Sequence, residues 1–222
     1  MQGSHTPQGI SSRSSGHPLW LLAGFWLCVV IAIAVVLRRI IELVHPATAR
    51  PPQMASLDAT FASHAVLTAM HIVPAAVFVL LAAVLLLRRH APEWMEQLFF
   101  PFGAITGITA YAMSLYAVGG WMECSAVLVF NSWFLISLGR AYWLRHRGEI
   151  ARKRTWMTRA VGILLGIATT RPVMGIFFAT SPRTHLSPNR FFGIAFWIGF
   201  SLNVIFIEIW LHSKRRAQLQ RG

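Results

Sequence analysis

The sequence predicts an all-α fold, a six-helix up-and-down transmembrane bundle, on three observations. Apolar residues make up 55% of the 222-residue chain and charged residues only 12%, far from the roughly 25% charged of soluble domains. The apolar residues gather into six runs close to the roughly 20 residues that a bilayer-spanning helix needs. The basic residues, 20 Lys and Arg against 7 acids for a formal net charge of +13, fall at the ends of those runs, where they set orientation and meet anionic lipid. They form no stripe interleaved with aromatics, so no nucleic acid is implied. The lipid bilayer is the implied partner, and the cell (cytoplasmic) membrane the implied place.

Residues 1–18, "MQGSHTPQGISSRSSGHP", are rich in Ser, Gly and Pro and nearly free of bulky apolar side chains. They read as a disordered cytoplasmic tail. The membrane domain, 19–212, opens with a first span over about 20–37, too long for a signal-peptide core and without a clear cleavage site. The connection Arg38 to Ser63 holds three prolines and reads as a loop, with a short interfacial helix over Ile40 to Val44. The second span covers 65–87 and ends at the basic trio Arg88 to His90. The third, about 98–118, carries the pair Gly103 and Gly107, suited to close helix approach.

The fourth span, about 121–144, ends in Arg140, Tyr142, Trp143 and Arg145, an interface belt. The fifth covers about 160–180 and the sixth about 191–211, followed by the basic cytoplasmic tail 213–222. With six spans both termini share a side. That side carries about fourteen Lys and Arg against about five on the other, which predicts cytoplasmic termini, although Arg38 and Arg39 fall on the outer side. Cys28 and Cys124 sit in apolar runs and read as packing residues.

Polar side chains at depth are the candidate functional residues, because an unpaired polar group inside a span is expensive. Counting about 1.5 Å per residue, His71 lies about 10 Å from the outer boundary, and Tyr111, Asn131 and Arg171 about 12 to 15 Å. Asn203 comes out slightly deeper. Five spans thus bring five polar groups to the outer half of the membrane, which reads as an internal site or, equally, as helix-to-helix glue. Pro172 and Pro74 free backbone carbonyls beside Arg171 and His71.

His64 and His71, seven residues apart, are expected on one helix face, looking into the bundle. Such histidines raise haem b as a cofactor, although no other span carries a facing histidine at that depth. No HExxH, carboxylate cluster or cysteine pair points to a metal. Asp58 and His64 lack a serine in a nucleophile elbow, which argues against a classical hydrolase or transferase. Glu208 sits about one turn from the inner end of the last span at the depth of Arg159, and reads as an ion pair or a proton relay.

From Gly148 onward, "GEIARKRTWMTRA", then "TTRP", then "FWIGFSLNVIFIEIWL" resembles a bacterial family of predicted membrane proteins catalogued as domain of unknown function 2306. In that family a basic loop of the form GdiaxHrrWMiR opens a span, an arginine follows inside it, and the last span carries a W…N…E pattern. The matching positions are Gly148, Ile150, Arg154, Trp156, Met157, Arg159, Arg171, Trp197, Asn203 and Glu208, with His71 at the family's second-span histidine. Lys153 stands where the family has a histidine, and the usual His-Arg before the third span is absent. The resemblance implies a fold and a residue set and no reaction.

Three readings follow. One is a binding or redox-associated bundle in which His71, Arg171 and Asn203, with Tyr111, Asn131, Trp197 and His64 around them, hold a haem, a quinone or an anionic group. Another is a small proton-linked transporter or permease, for which six spans would need a homodimer. The third is a structural or assembly subunit of a membrane complex.

Overall fold

The computed structural model describes residues 19–45, 59–88 and 91–220. The tail expected over 1–18, the middle of the first connection, and the residues Asp58 and His90 lie outside them. Seven long helices, with no strand, account for most of the described residues: α1 Leu19–Val44, α2 Ala65–Leu87, α3 Glu93–Ser114, α4 Gly120–His146, α5 Ile150–Leu164, α6 Gly166–Thr184 and α7 Pro188–Leu219. Five helical segments among the described residues are long and apolar enough to cross a membrane: Leu19–Val44, Ala65–Leu87, Gly120–His146, Ile150–Thr184 and Asn189–Ala217. The helix α3 is not among them: Glu93, Glu96 and Gln97 take up its first turns, and Pro101 with the glycines and threonines dilutes the rest.

Several boundaries differ from expectation: α3 starts and ends earlier than the third expected span, α7 runs on to Leu219 through most of the expected tail, and two elements change in kind. The interfacial helix over Ile40 to Val44 is instead the continuation of α1. Glu42 holds Arg38 at 2.7 Å and Arg39 at 3.0 Å, and such pairs at i,i+4 and i,i+3 favour helix. The fifth expected span is two helices, α5 and α6, meeting at Leu165. The break falls between Gly162 and Gly166, both pressed against α7 side chains, Ile207 and Phe200 respectively. The turn from α4 to α5 uses Gly148 at φ +69°, a left-handed conformation that a side chain would strain.

Side-chain contacts define two ends. At the basic end Lys153 of α5 and Arg145 of α4 meet Glu96 of α3, at 2.7 and 3.5 Å, and Arg154 donates to the Leu86 carbonyl at 3.1 Å. Lys153, where the resemblance places a histidine, thereby fastens α5 to α3. At the opposite end His64 stacks on Tyr116 with centroids 3.7 Å apart. The core between them is aromatic: Phe78 stacks on Phe99 at 4.4 Å and meets Phe134 edge-on at 5.6 Å. Gly103 lies under Phe78 and Leu138, the close approach expected of it. In lipid such packing, not water exclusion, holds helices together.

Candidate functional site

A cavity of about 230 Å³ lies inside the bundle and takes wall residues from all seven helices. Each helix contributes one face. On α2 it is Thr68, His71, Ile72 and Ala75; on α4 it is Glu123, Val127, Phe130, Asn131 and Phe134; on α6 it is Ile167, Ala168 and Arg171. Spacings of three, four, seven and eight are those that stack side chains along one side of a helix. The volume is below the range of about 300 to 1,000 Å³ typical of drug-sized ligands, so it suits a small group.

The polar groups of the cavity differ in how well they are satisfied. His71 Nδ1 and the Thr109 hydroxyl lie 3.0 Å apart. The Thr109 proton is directed at the Ile105 carbonyl, 2.7 Å away. Assigned from this pattern, the neutral ring carries its hydrogen on Nδ1 and its acceptor on Nε2. Asn131 Nδ2 donates to the Gly107 carbonyl at 2.8 Å.

Arg171 is the exception. Its Nε is buried without a hydrogen-bond partner, and the contact of its Nη1 is the Met174 sulfur at 4.0 Å. It makes no hydrogen-bonded ion pair among the described residues; the opposite charge that acts on it is the Glu123 carboxylate on the same cavity wall. A buried donor left unmade costs about 1 to 3 kcal/mol, and more for a charged group.

Two charged residues of the cavity give no signal in a count of depth. Glu123 accepts the Gly119 N–H at 2.6 Å. Arg39 joins Glu42 and lies 4.2 Å above the Phe61 ring. Glu123 is legible by another count, because 123, 127 and 131 are four apart and share the face that carries Asn131.

The expected cluster of polar groups is only partly one site. His71, Asn131 and Arg171 line the cavity; Asn203, Tyr111, Trp197 and His64 do not. Asn203 spans the seam of α7 with α5 and α6, donating to the Gly162 carbonyl at 3.1 Å and accepting from the Thr169 hydroxyl at 2.8 Å. The Tyr111 hydroxyl pairs with Ser132 at 2.6 Å. Trp197 Nε1 donates to Ser125 at 3.2 Å. Depth along a helix axis says nothing about the direction a side chain takes around it, and these three turn toward neighbouring helices. His64 departs for another reason: α2 begins at Ala65, so the seven-residue spacing to His71 is not a helical one.

Glu208 and Arg159 form a two-point ion pair. Arg159 Nε and Nη2 both donate to the carboxylate, Nη2 reaching Oε2 at 2.9 Å, with side chains 16% and 22% exposed. Arg159 also lies 4.3 Å above the Trp156 ring. The pair ties α5 to α7 toward the basic end, about one turn from Ile163 and two from Phe200 of the cavity wall.

Haem with two imidazole ligands does not fit the cavity wall. His71 is the one histidine on it among the described residues, and no group of three His, Cys, Asp or Glu gathers anywhere among them. Both cysteines, Cys28 and Cys124, are free thiols.

Apolar helices of spanning length, with charged residues collected at their ends and a few polar groups between, define a multi-pass α-helical membrane protein. The chain belongs to the family of predicted membrane proteins catalogued as domain of unknown function 2306, whose model matches residues 68–211. That region runs from the second turn of α2 into α7 and holds His71, Glu123, Asn131 and Arg171. No curated protein and no solved structure matches the chain.

Proposed function

We propose that the cavity binds a small organic anion, a carboxylate with a compact body, held by the Arg171 guanidinium. The observation that carries this reading is the buried Arg171 Nε without a partner, beside a cavity of about 230 Å³. A guanidinium is built for two-point recognition of carboxylates, and Glu123, which acts on its charge without a hydrogen bond, leaves its donors to an anion. With its hydrogen on Nδ1, His71 offers Nε2 as an acceptor to a hydroxyl or amide on the same ligand, and the apolar wall, Ile72, Val127, Phe130 and Ile167, takes the body.

In this reading α3 is the sixth span and α5 with α6 make one broken span. The basic residues near Glu96, Gly148 and the C-terminus then share the cytoplasmic side with both termini. Asn203, Tyr111 and Trp197 serve the packing of helices around the site. Their bonds between helices support that role.

The test is thermal unfolding of the detergent-purified protein with acetate, lactate, benzoate and inorganic phosphate as probes. At a hundred times its dissociation constant a ligand adds about 2.7 kcal/mol, which raises the midpoint by about 5 to 10 °C for a chain of this size. One or more of the carboxylates should do so for the wild type and not for Arg171→Met. Equal midpoints with and without every probe would sink the proposal.

A further inference from the structure

A second site lies at the basic end. An open groove of about 980 Å³ runs between α1 on one side and α5 with α7 on the other. Its deep walls are apolar, with Leu22, Phe25, Val161, Leu165 and Ile207. Its rim is cationic, with Arg152, Arg154, Arg159, Lys214 and Arg215, and no carboxylate is among its lining residues. Two of these charges are already met inside the protein, Arg152 by Glu149 at 2.6 Å and Arg159 by Glu208. Lys214 rests 4.1 Å from the Trp210 ring. Arg154 bonds the neutral Leu86 carbonyl, and neither it nor Arg215 makes an ion pair among the described residues. Two guanidinium charges over an apolar slot therefore meet no carboxylate among the described residues.

We infer that this groove binds an acidic glycerophospholipid, its phosphate between Arg154 and Arg215 with Lys214 beside them, and an acyl chain laid between α1 and α7. Charge complementarity selects the occupant. Each Lys or Arg near a membrane surface attracts anionic lipid, and long cationic side chains at helix ends hold their heads at headgroup level. The chain's own segment 1–18 is no rival in charge, since it carries Arg13 and no acid. A soluble anion would leave the apolar walls bare. The Trp20 to Phe206 ring contact, 5.5 Å between centroids, joins α1 to α7 across the slot. A lipid there would fasten α1, the helix that stands outside the matched family region.

The experiment is native mass spectrometry of the full chain in detergent after exposure to equal amounts of dioleoyl phosphatidylglycerol and dioleoyl phosphatidylcholine. Phosphatidylglycerol should be retained about tenfold over phosphatidylcholine, and the preference should collapse in Arg154→Gln/Arg215→Gln. A second variant, Lys214→Gln/Arg215→Gln, changes only exposed side chains and guards against loss of fold; it should weaken the preference severalfold. Equal retention of the two lipids by the wild type, or a preference unchanged in both variants, would overturn the inference.

Discussion

Gly199→Val is expected to lower stability by about 3 kcal/mol or more, at or above the upper end of what overpacking costs. At Gly199 α7 crosses α6 so closely that an added Cβ would stand 2.7 Å from both the backbone nitrogen and the Cα of Thr170. A flexible side chain could swing away; the backbone of a packed helix cannot. Thr170 is itself fully buried, so the strain passes into the α6–α7 seam that also positions Arg171, one residue further on. Gly175→Ala is the control. Nothing lies within 4 Å of a Cβ there, and alanine suits a helix better than glycine by up to about 1 kcal/mol. Thermal unfolding in one detergent should separate the two variants by about 10 °C, given a few degrees per kcal/mol for a chain of this length.

The second large effect is expected at Glu208→Ala, with a loss of about 2 to 4 kcal/mol. Removing one member of a buried ion pair costs about 3 to 5 kcal/mol because the other charge stays buried and unmet. The partial exposure of both side chains, 16% and 22%, argues for the lower part of that range. The double variant Arg159→Met/Glu208→Leu should recover most of the loss, since apolar replacement of both partners is close to neutral. Unfolding midpoints of the two variants beside the wild type check this. A single variant as stable as the wild type would show that the pair is an accessory of the surface.

Much of the fold is legible in the sequence, and what is not legible has a common cause. Hydropathy locates α2, whose bounds 65–87 are those expected, because a long run of Val, Leu and Ala ending in Arg88 has one reading. The break at Leu165 gives no such signal: no proline marks it, and it depends on Phe200 and Ile207 pressing on glycines from another helix. The site divides the same way. Depth, which is one-dimensional, singles out His71, Asn131 and Arg171, and also Asn203 and Tyr111. Azimuth around each helix, set by packing, sends the last two to Gly162 and Ser132 instead. Glu123 escapes a depth count because it sits at the expected edge of a span, where a carboxylate draws no notice. Counting along α4 in steps of four from Asn131 reaches it.

The same division bears on Arg171. Asn203, Asn131 and Tyr111 each have bonds that account for their presence among helices. Arg171 does not: Glu123 of α4 acts on its charge without a hydrogen bond, and the buried Nε left without a partner is what a ligand would account for. The most direct measurement is the unfolding free energy of Arg171→Met against the wild type, both without added ligand. The ligand account predicts a variant at least as stable as the wild type, because an apolar side chain of similar length relieves the desolvated guanidinium. A loss comparable to that of Glu208→Ala would contradict it and make Arg171 a structural residue of the bundle.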